Sequence, residues 1–434
     1  MNWSIGWRRV LGIVSLALAA VGVFSTVEAQ ELPSFTKYLF PTEAYWDLRG
    51  TIHYDLEVAD INRDGRPDLI VGSGGVNSDY HAEVATTVVF NHLAADEIEE
   101  GISEDFLLSL EFGIGTRCAA ADFNGDGIAD IATINSAGTS NSVTNVKVHV
   151  NRTPVGGDAI VFDAPLVLPY TPNGLMGSLL EIVVADFNLD GRPDIALGTQ
   201  SPNAIVVYMN QTRKGSSNPA FSGPVQVGGT SYPYSMIAAD FNGDGLPDIA
   251  ATTNLGIDVL VNTGRRLSQI PAFAETVNLV TYSSSSQNFG AANLNGDARK
   301  DLMYFSYDSP YESKVGVATN TTRPRGSSPE FLQSVVWGNE TFTPATIGGA
   351  DINGDSKLDL IVTDAIGKVL AFMNQTASGA AQPSFSDPVE VTALSEVTRA
   401  APVEADFDGD GANDLAFAPI GTSNLTILVN NRLP

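Results

Sequence analysis

Seven copies of an acidic nine-residue pattern, with strand-length apolar runs around each, predict an all-β chain: a seven-bladed β-propeller of four-stranded blades. The pattern starts at Asp60, Asp122, Asp186, Asp240, Asn293, Asp351 and Asp406, in steps of 62, 64, 54, 53, 58 and 55 residues. That period is too long for a leucine-rich or ankyrin repeat. Each copy follows a short apolar run such as Ile182–Ala185 and leads straight into another, Asp194–Leu197. A third run (Ala204–Asn210) and a fourth that begins with Phe221 complete the unit, with turn residues between them.

The ends of the chain bear on closure. Residues 33–40 read as a spare fourth strand, whereas the last unit stops after a third strand, Asn424–Val429. Pairing the two closes the ring and covers the sheet edge that an open array would leave exposed.

Residues 1–29 have the parts of a secretory leader: Arg8 and Arg9, an apolar run from Val10 to Phe24, and a small-residue site ending at Ala29. The expected division is a signal peptide over 1–29 and the propeller over 30–434. The apolar run is shorter than the roughly 20 residues needed to span a bilayer, so cleavage and a secreted, periplasmic or cell-surface location are expected, with no membrane insertion afterwards. With 23 basic and 50 acidic side chains the net charge is −27. Such a balance disfavours nucleic acid and anionic lipid, which both need clustered Lys and Arg. Cys118 is the single cysteine, so no internal disulfide stabilises the fold.

The repeated pattern carries the chemistry. Side chains at positions 1, 3, 5 and 9 are Asp or Asn, position 7 offers a backbone carbonyl, and position 6 is usually Gly. Ca²⁺ takes six to eight oxygens at about 2.3–2.6 Å, and alternate residues of a tight loop supply them. Candidate ligands are therefore Asp60, Asn62, Asp64, Arg66 and Asp68; Asp122, Asn124, Asp126, Ile128 and Asp130; Asp186, Asn188, Asp190, Arg192 and Asp194; and Asp240, Asn242, Asp244, Leu246 and Asp248. Asp351, Asn353, Asp355, Lys357 and Asp359 form the sixth set, and Asp406, Asp408, Asp410, Ala412 and Asp414 the seventh. The fifth copy, Asn293 to Asp301, has two carboxylates and Ala298 at position 6, so about six filled sites and a weak or empty seventh are expected. Position 12, where an EF-hand places its bidentate Glu, holds Val71, Thr133, Leu197 and Ala251 in the first four copies, so the loops belong to β-hairpins. Together they contain 21 of the 50 acids.

These loops resemble those of the FG-GAP/VCBS repeat family, whose hallmark Asp-Phe-Asn-Gly-Asp-Gly-x-x-Asp-Ile stands here from Asp122 and from Asp240. The resemblance runs over residues 33–434 and implies calcium-loop propellers of the kind seen in integrin α-subunits and fungal lectins, with ligands at loop positions 1, 3, 5, 7 and 9.

On the face opposite the hairpins, loop assignment places Tyr45, Trp46, Tyr80, His81, Tyr232, Tyr234, Tyr307, Tyr311 and Trp337 as candidate ligand-binding residues. Flat apolar rings with a polar edge suit sugars and protein anchors. Signatures of metalloprotease, P-loop and α/β-hydrolase chemistry are missing. The expected function is non-catalytic recognition of glycans or an extracellular protein surface; the rivals are a polysaccharide lyase or hydrolase, with His81 or Tyr80 as base and an arginine such as Arg117 or Arg399 on a uronate, and a structural spacer. Asn-x-Thr recurs at Asn151, Asn210, Asn320 and Asn374, always where the third strand ends, which favours a turn role over glycosylation.

Overall fold

The computed structural model describes residues 34–432 apart from 42–48, 77–81, 92–101, 113–114, 137–144, 158, 171–177, 201, 229–232, 255, 275–276, 281–288, 310–311, 324–327, 340–341, 395 and 421–423. Every regular element among them is a strand, and the strands form seven four-stranded antiparallel sheets. Blade one runs Arg49–Ala59, Asp68–Val76, Ala82–Asn91 and Ile102–Phe112 from the inside outwards, and blades two to six repeat that order.

Burial within a blade follows position. In blade three the second strand, Asp194–Gln200, and the third, Ala204–Tyr208, are buried almost throughout, because both faces are covered by neighbouring blades. Continuous apolar runs follow from that burial. The outer strand Val225–Gly228 is exposed or half-buried, and polar Gln226 interrupts its apolar run.

Seven apolar clusters fill the ring, each shared by two adjacent blades. The cluster between blades seven and one joins Phe407, Ile427 and Val429 to Leu56, Val71 and Val89. Closure is made as the chain ends suggest: Phe35–Pro41 pairs antiparallel with Asn424–Asn430, with Phe35 opposite Asn430, and becomes the outer strand of blade seven.

Position 2 of each hairpin anchors the loop in the next interface. Ile61, Phe123, Phe187, Phe241, Leu294, Ile352 and Phe407 are all 0–2% exposed. The ring of Phe123 meets the edge of Phe221 in the next blade at 5.8 Å, and Phe187 meets Phe273 at the same distance. Phe221 and Phe273, each opening the outer segment of its blade, are thus halves of interblade pairs.

Candidate functional site

Each hairpin is wound by its own carboxylates. In hairpin two, Asp122 Oδ1 accepts the N–H of Gly125 at 2.7 Å and of Asp126 at 3.1 Å, while Oδ2 accepts that of Gly127 at 2.7 Å. Asn124 Oδ1 accepts the Asp126 N–H at 2.9 Å, and Asp126 Oδ1 that of Ile128 at 3.0 Å. Asp130 closes the loop, with Oδ2 on the Phe123 N–H at 3.0 Å and Oδ1 on the Asn151 N–H at 2.8 Å. The winding needs left-handed backbone at positions 4 and 6, where φ is 78° and 84° for Gly125 and Gly127. Arg63 and Leu189 hold the same conformation at position 4 with φ of 57° and 55°, a requirement that the glycine at position 6 alone does not announce.

Hairpin five keeps this path with Ala298 at φ 69°. Asn293 Oδ1 still accepts the Asp297 N–H at 3.1 Å, but an amide nitrogen stands where Asp offers its second oxygen, so the Ala298 N–H loses that acceptor.

Packing so many carboxylates together is electrostatically expensive. The position-9 carboxylates are wholly buried, and burial pushes Asp130, Asp194, Asp248, Asp359 and Asp414 up to about 7, and Asp68 and Asp301 to about 6, against the pull of two backbone N–H groups each. Cationic side chains answer part of the charge at position 5: Arg192 grips Asp190, Arg299 grips Asp297, Arg152 reaches Asp126 at 3.2 Å and Lys357 reaches Asp355 at 3.6 Å. In hairpin seven, oxygens of Asp406, Asp408 and Asp414 lie within 4.8 Å of one another. That is the span of an oxygen cage around an ion with bonds of about 2.3–2.6 Å, so the donor set fits a hard dication.

A second set of residues ties the hairpins to one another. Asn151 is fully buried at the end of the third strand of blade two, and its Nδ2 donates to Ala129 O of its own hairpin at 3.0 Å and to Ile61 O of hairpin one at 2.8 Å. Asn210, Asn262, Asn320, Asn374 and Asn430 repeat the double bond around the ring. Asn91 reaches Phe407 O of hairpin seven at 2.8 Å, which closes the circle. The threonine of each Asn-x-Thr returns a backbone N–H to the asparagine Oδ1, at 2.8 Å for Thr153. The turn role expected of these residues is therefore only half of their work; the amide is a staple between blades.

The aromatic face is described in part. Tyr45, Trp46, Tyr80, His81, Tyr232 and Tyr311 lie outside the described residues, as does the side chain of Tyr307 in the strand Asp301–Ser309. Tyr234 is half-buried just before the strand Met236–Ala239. Trp337 departs from the expectation of a ring offered to a partner: it lies edge-on to Phe342 at 5.1 Å and Phe372 at 5.9 Å, wedged into the interface of blades five and six. Apolar area available between blades is better buried than displayed.

Three neighbouring inner strands assemble a cluster that no motif predicts. Arg117 lies 3.7 Å from Glu181 and also donates to the Tyr54 carbonyl, while Asp55 accepts the backbone N–H groups of Leu56 at 3.1 Å and Cys118 at 2.8 Å. Arg117 is thereby engaged within the fold, unlike the free uronate partner that the sequence suggests. Arg399 stacks 5.8 Å above the Tyr54 ring. Burial holds the Cys118 thiol well above its ordinary value, which suits a core residue. Burial, with Asp55 and Glu181 nearby, pushes Glu57 up to about 8, and burial opposed by Arg117 puts Glu181 at about 7. A carboxylate raised in this way binds its proton more tightly when folded, so it stabilises at low pH and the benefit is lost as pH rises through about 8. Glu57→Gln should accordingly stabilise the protein at pH 8.5, by on the order of 1–2 kcal/mol, and flatten the Tm profile between pH 6 and 8.5. A Tm loss at pH 8.5 would contradict the assignment.

Seven blades closed by a shared sheet, each with an acidic hairpin on one face, define a β-propeller of repeat type. Two family models match within it, the FG-GAP repeat over residues 115–150, which contains hairpin two, and the FG-GAP-like repeat over 186–251, which contains hairpins three and four. The chain thus carries repeats of the FG-GAP family over these residues. Among curated proteins, human phosphatidylinositol-glycan-specific phospholipase D is 25% identical over 237 residues, covering 50% of this chain and 27% of that protein. The bovine enzyme is 27% identical over 221 residues, covering 45% and 24%. The match thus spans about a quarter of the length of these relatives. Among solved structures, an Agrocybe aegerita lectin described as recognising non-reducing terminal N-acetylglucosamine superposes with a TM-score of 0.52 at 16% identity, covering 88% of this chain and 86% of that one. Rhamnogalacturonan lyase PL11 of Bacillus licheniformis gives 0.51 at 15% identity, covering 92% and 76%. At such identities the likeness is one of fold.

Proposed function

We propose that this protein is an exported, calcium-binding propeller that recognises glycans or protein surfaces without catalysis. The observation that carries the calcium reading is the repeated carboxylate-wound hairpin, whose position-9 acid is held above its ordinary value by burial, with the carboxylates at positions 1 and 5 adding to the effect. Asp, Asn and backbone oxygens at loop positions 1, 3, 5, 7 and 9 would hold the ions, which supply charge compensation and cross-link each hairpin. Export is inferred from the leader-like residues 1–29. Among the described residues, no helix is long and apolar enough to cross a membrane. The glycan reading draws on the fold shared with the lectin and the lyase.

Calorimetric titration of the metal-free protein should find about six calcium ions. Asp126→Ala should lower the count by about one, whereas Asp297→Ala in hairpin five should leave it unchanged. Equal counts in all three proteins would refute the ligand assignment. A glycan array with a turnover assay tests the rest. Capture without product release is expected, and silence across the array would refute glycan recognition.

A second reading, a polysaccharide-active enzyme, is favoured by the cluster of Asp55, Glu57, Glu181 and Arg117, where carboxylates at about 7 to 8 have the basicity of a general base. Release of oligosaccharide products, abolished in Glu57→Gln, would establish it.

A further inference from the structure

The hairpin face holds more than metal loops. Hairpins two and three are separated by a cleft of about 540 Å³, within the range of roughly 300–1,000 Å³ usual for small-ligand sites. Asp122 and Asn124 border it on one side, Asp190 and Arg192 on the other, and Arg213 and Lys214 complete the rim. Arg192 is committed to Asp190 and to the Asn210 carbonyl at 2.9 Å. Arg213 and Lys214 are exposed, and no ion pair joins either to a described residue.

These two cations are held in place by the backbone beneath them. Thr212 is stapled to Asn210 at 2.9 Å, Gly215 turns left-handed with φ 81°, and the Ser216 N–H donates to Arg213 O at 2.9 Å. A chain with 23 basic and 50 acidic residues has few cations to spare, yet here two adjacent ones make no ion pair among the described residues. A single cation lines a smaller cleft between hairpins six and seven. There Arg432, beside the staple Asn430, lies against Gly354 and lines a cleft of about 310 Å³.

We propose that the cleft between hairpins two and three binds the anionic group of an acidic saccharide, with Arg213 and Lys214 as its charge partners. The proposal rests on the glycan-recognition reading and names the class of sugar. Arg152 already answers Asp126 on the facing hairpin, but Asp122 unneutralised repels an anion; a dication there removes the repulsion, so binding should require calcium.

Calorimetry with tetragalacturonate in calcium buffer tests this. Arg213→Ala/Lys214→Ala changes only exposed side chains and should leave Tm and calcium count unaltered. Expected are binding by the native protein, a loss of at least tenfold in the double variant, loss on chelation, and weak binding of the fully methyl-esterified tetramer. Equal affinity of native protein and double variant overturns the proposal, as does equal affinity for acid and ester. Displacement of the tetramer by millimolar inorganic phosphate also overturns it, since the cleft would then be a generic anion site. If tetragalacturonate fails while the glycan array still shows capture of neutral sugars, the cleft assignment falls and glycan recognition stands; if both fail, both fall.

Discussion

Chelation with EDTA should lower the Tm by more than about 10 °C, because an ion bound only by the folded state contributes about 2.7 kcal/mol when free metal is a hundredfold above its Kd. Six such hairpins would together contribute on the order of 16 kcal/mol, as much as the whole stability of a typical domain. Without the ions, each hairpin must either carry the repulsion of its acids or protonate the position-9 carboxylate. Hairpin seven, with four carboxylates and three of them within 4.8 Å, should lose most. Hairpin five should lose least, since it has only two carboxylates and Arg299 bonds one of them, Asp297, while donating to the carbonyls of Asn320 at 3.0 Å and Thr322 at 3.1 Å. Magnesium should restore less stability than calcium, because it requires octahedral geometry at about 2.0–2.1 Å and gives up water reluctantly. Differential scanning calorimetry in calcium, magnesium and EDTA decides; a Tm indifferent to all three would leave the hairpins as acidic turns.

The features legible in the sequence are those that repeat or that follow from a local period. Asp122, Asn124 and Asp126 alternate because one loop turns them to one centre, and Phe35 and Asn424 mark closure because a four-strand unit is visibly split between the chain ends. Contacts between blades are another matter. The Asn210 amide meets Phe123 O across 87 residues, so nothing beside Asn210 reveals its second partner, although its recurrence seven times was the available signal. Arg117, Asp55 and Glu181 come from three separate strands and share no motif. Trp337 shows the opposite failure: its position in the chain suggests a display site, but the neighbouring blade supplies Phe342 and Phe372 to cover it.

The staples lead to the other large effect, for which Asn374 is the test. Its Nδ2 donates to Leu294 O of hairpin five and to Leu358 O of hairpin six, both at 2.9 Å, and its Oδ1 accepts the Thr376 N–H at 3.0 Å. Asn374→Ala removes these bonds, together with the one that Oδ1 accepts from Thr376 Oγ1 at 2.5 Å, and strands two carbonyls away from water, at about 1–3 kcal/mol for each group left unsatisfied. A loss of roughly 3–6 kcal/mol is expected in saturating calcium. Asn374→Asp should be at least as damaging, although it is nearly isosteric: a carboxylate has no hydrogen to give either carbonyl, and it would sit beside Asp359, whose Oδ1 already accepts the residue-374 N–H at 2.7 Å. Gln375→Ala, one residue on and exposed, should change stability by less than about 0.5 kcal/mol. Urea melts of the three variants separate the readings. A side chain that merely shapes the turn through Oδ1 would be replaced well by Asp, so full stability in Asn374→Asp would rule out the staple, whereas parallel losses in Ala and Asp show that the blades are held together by the donated protons.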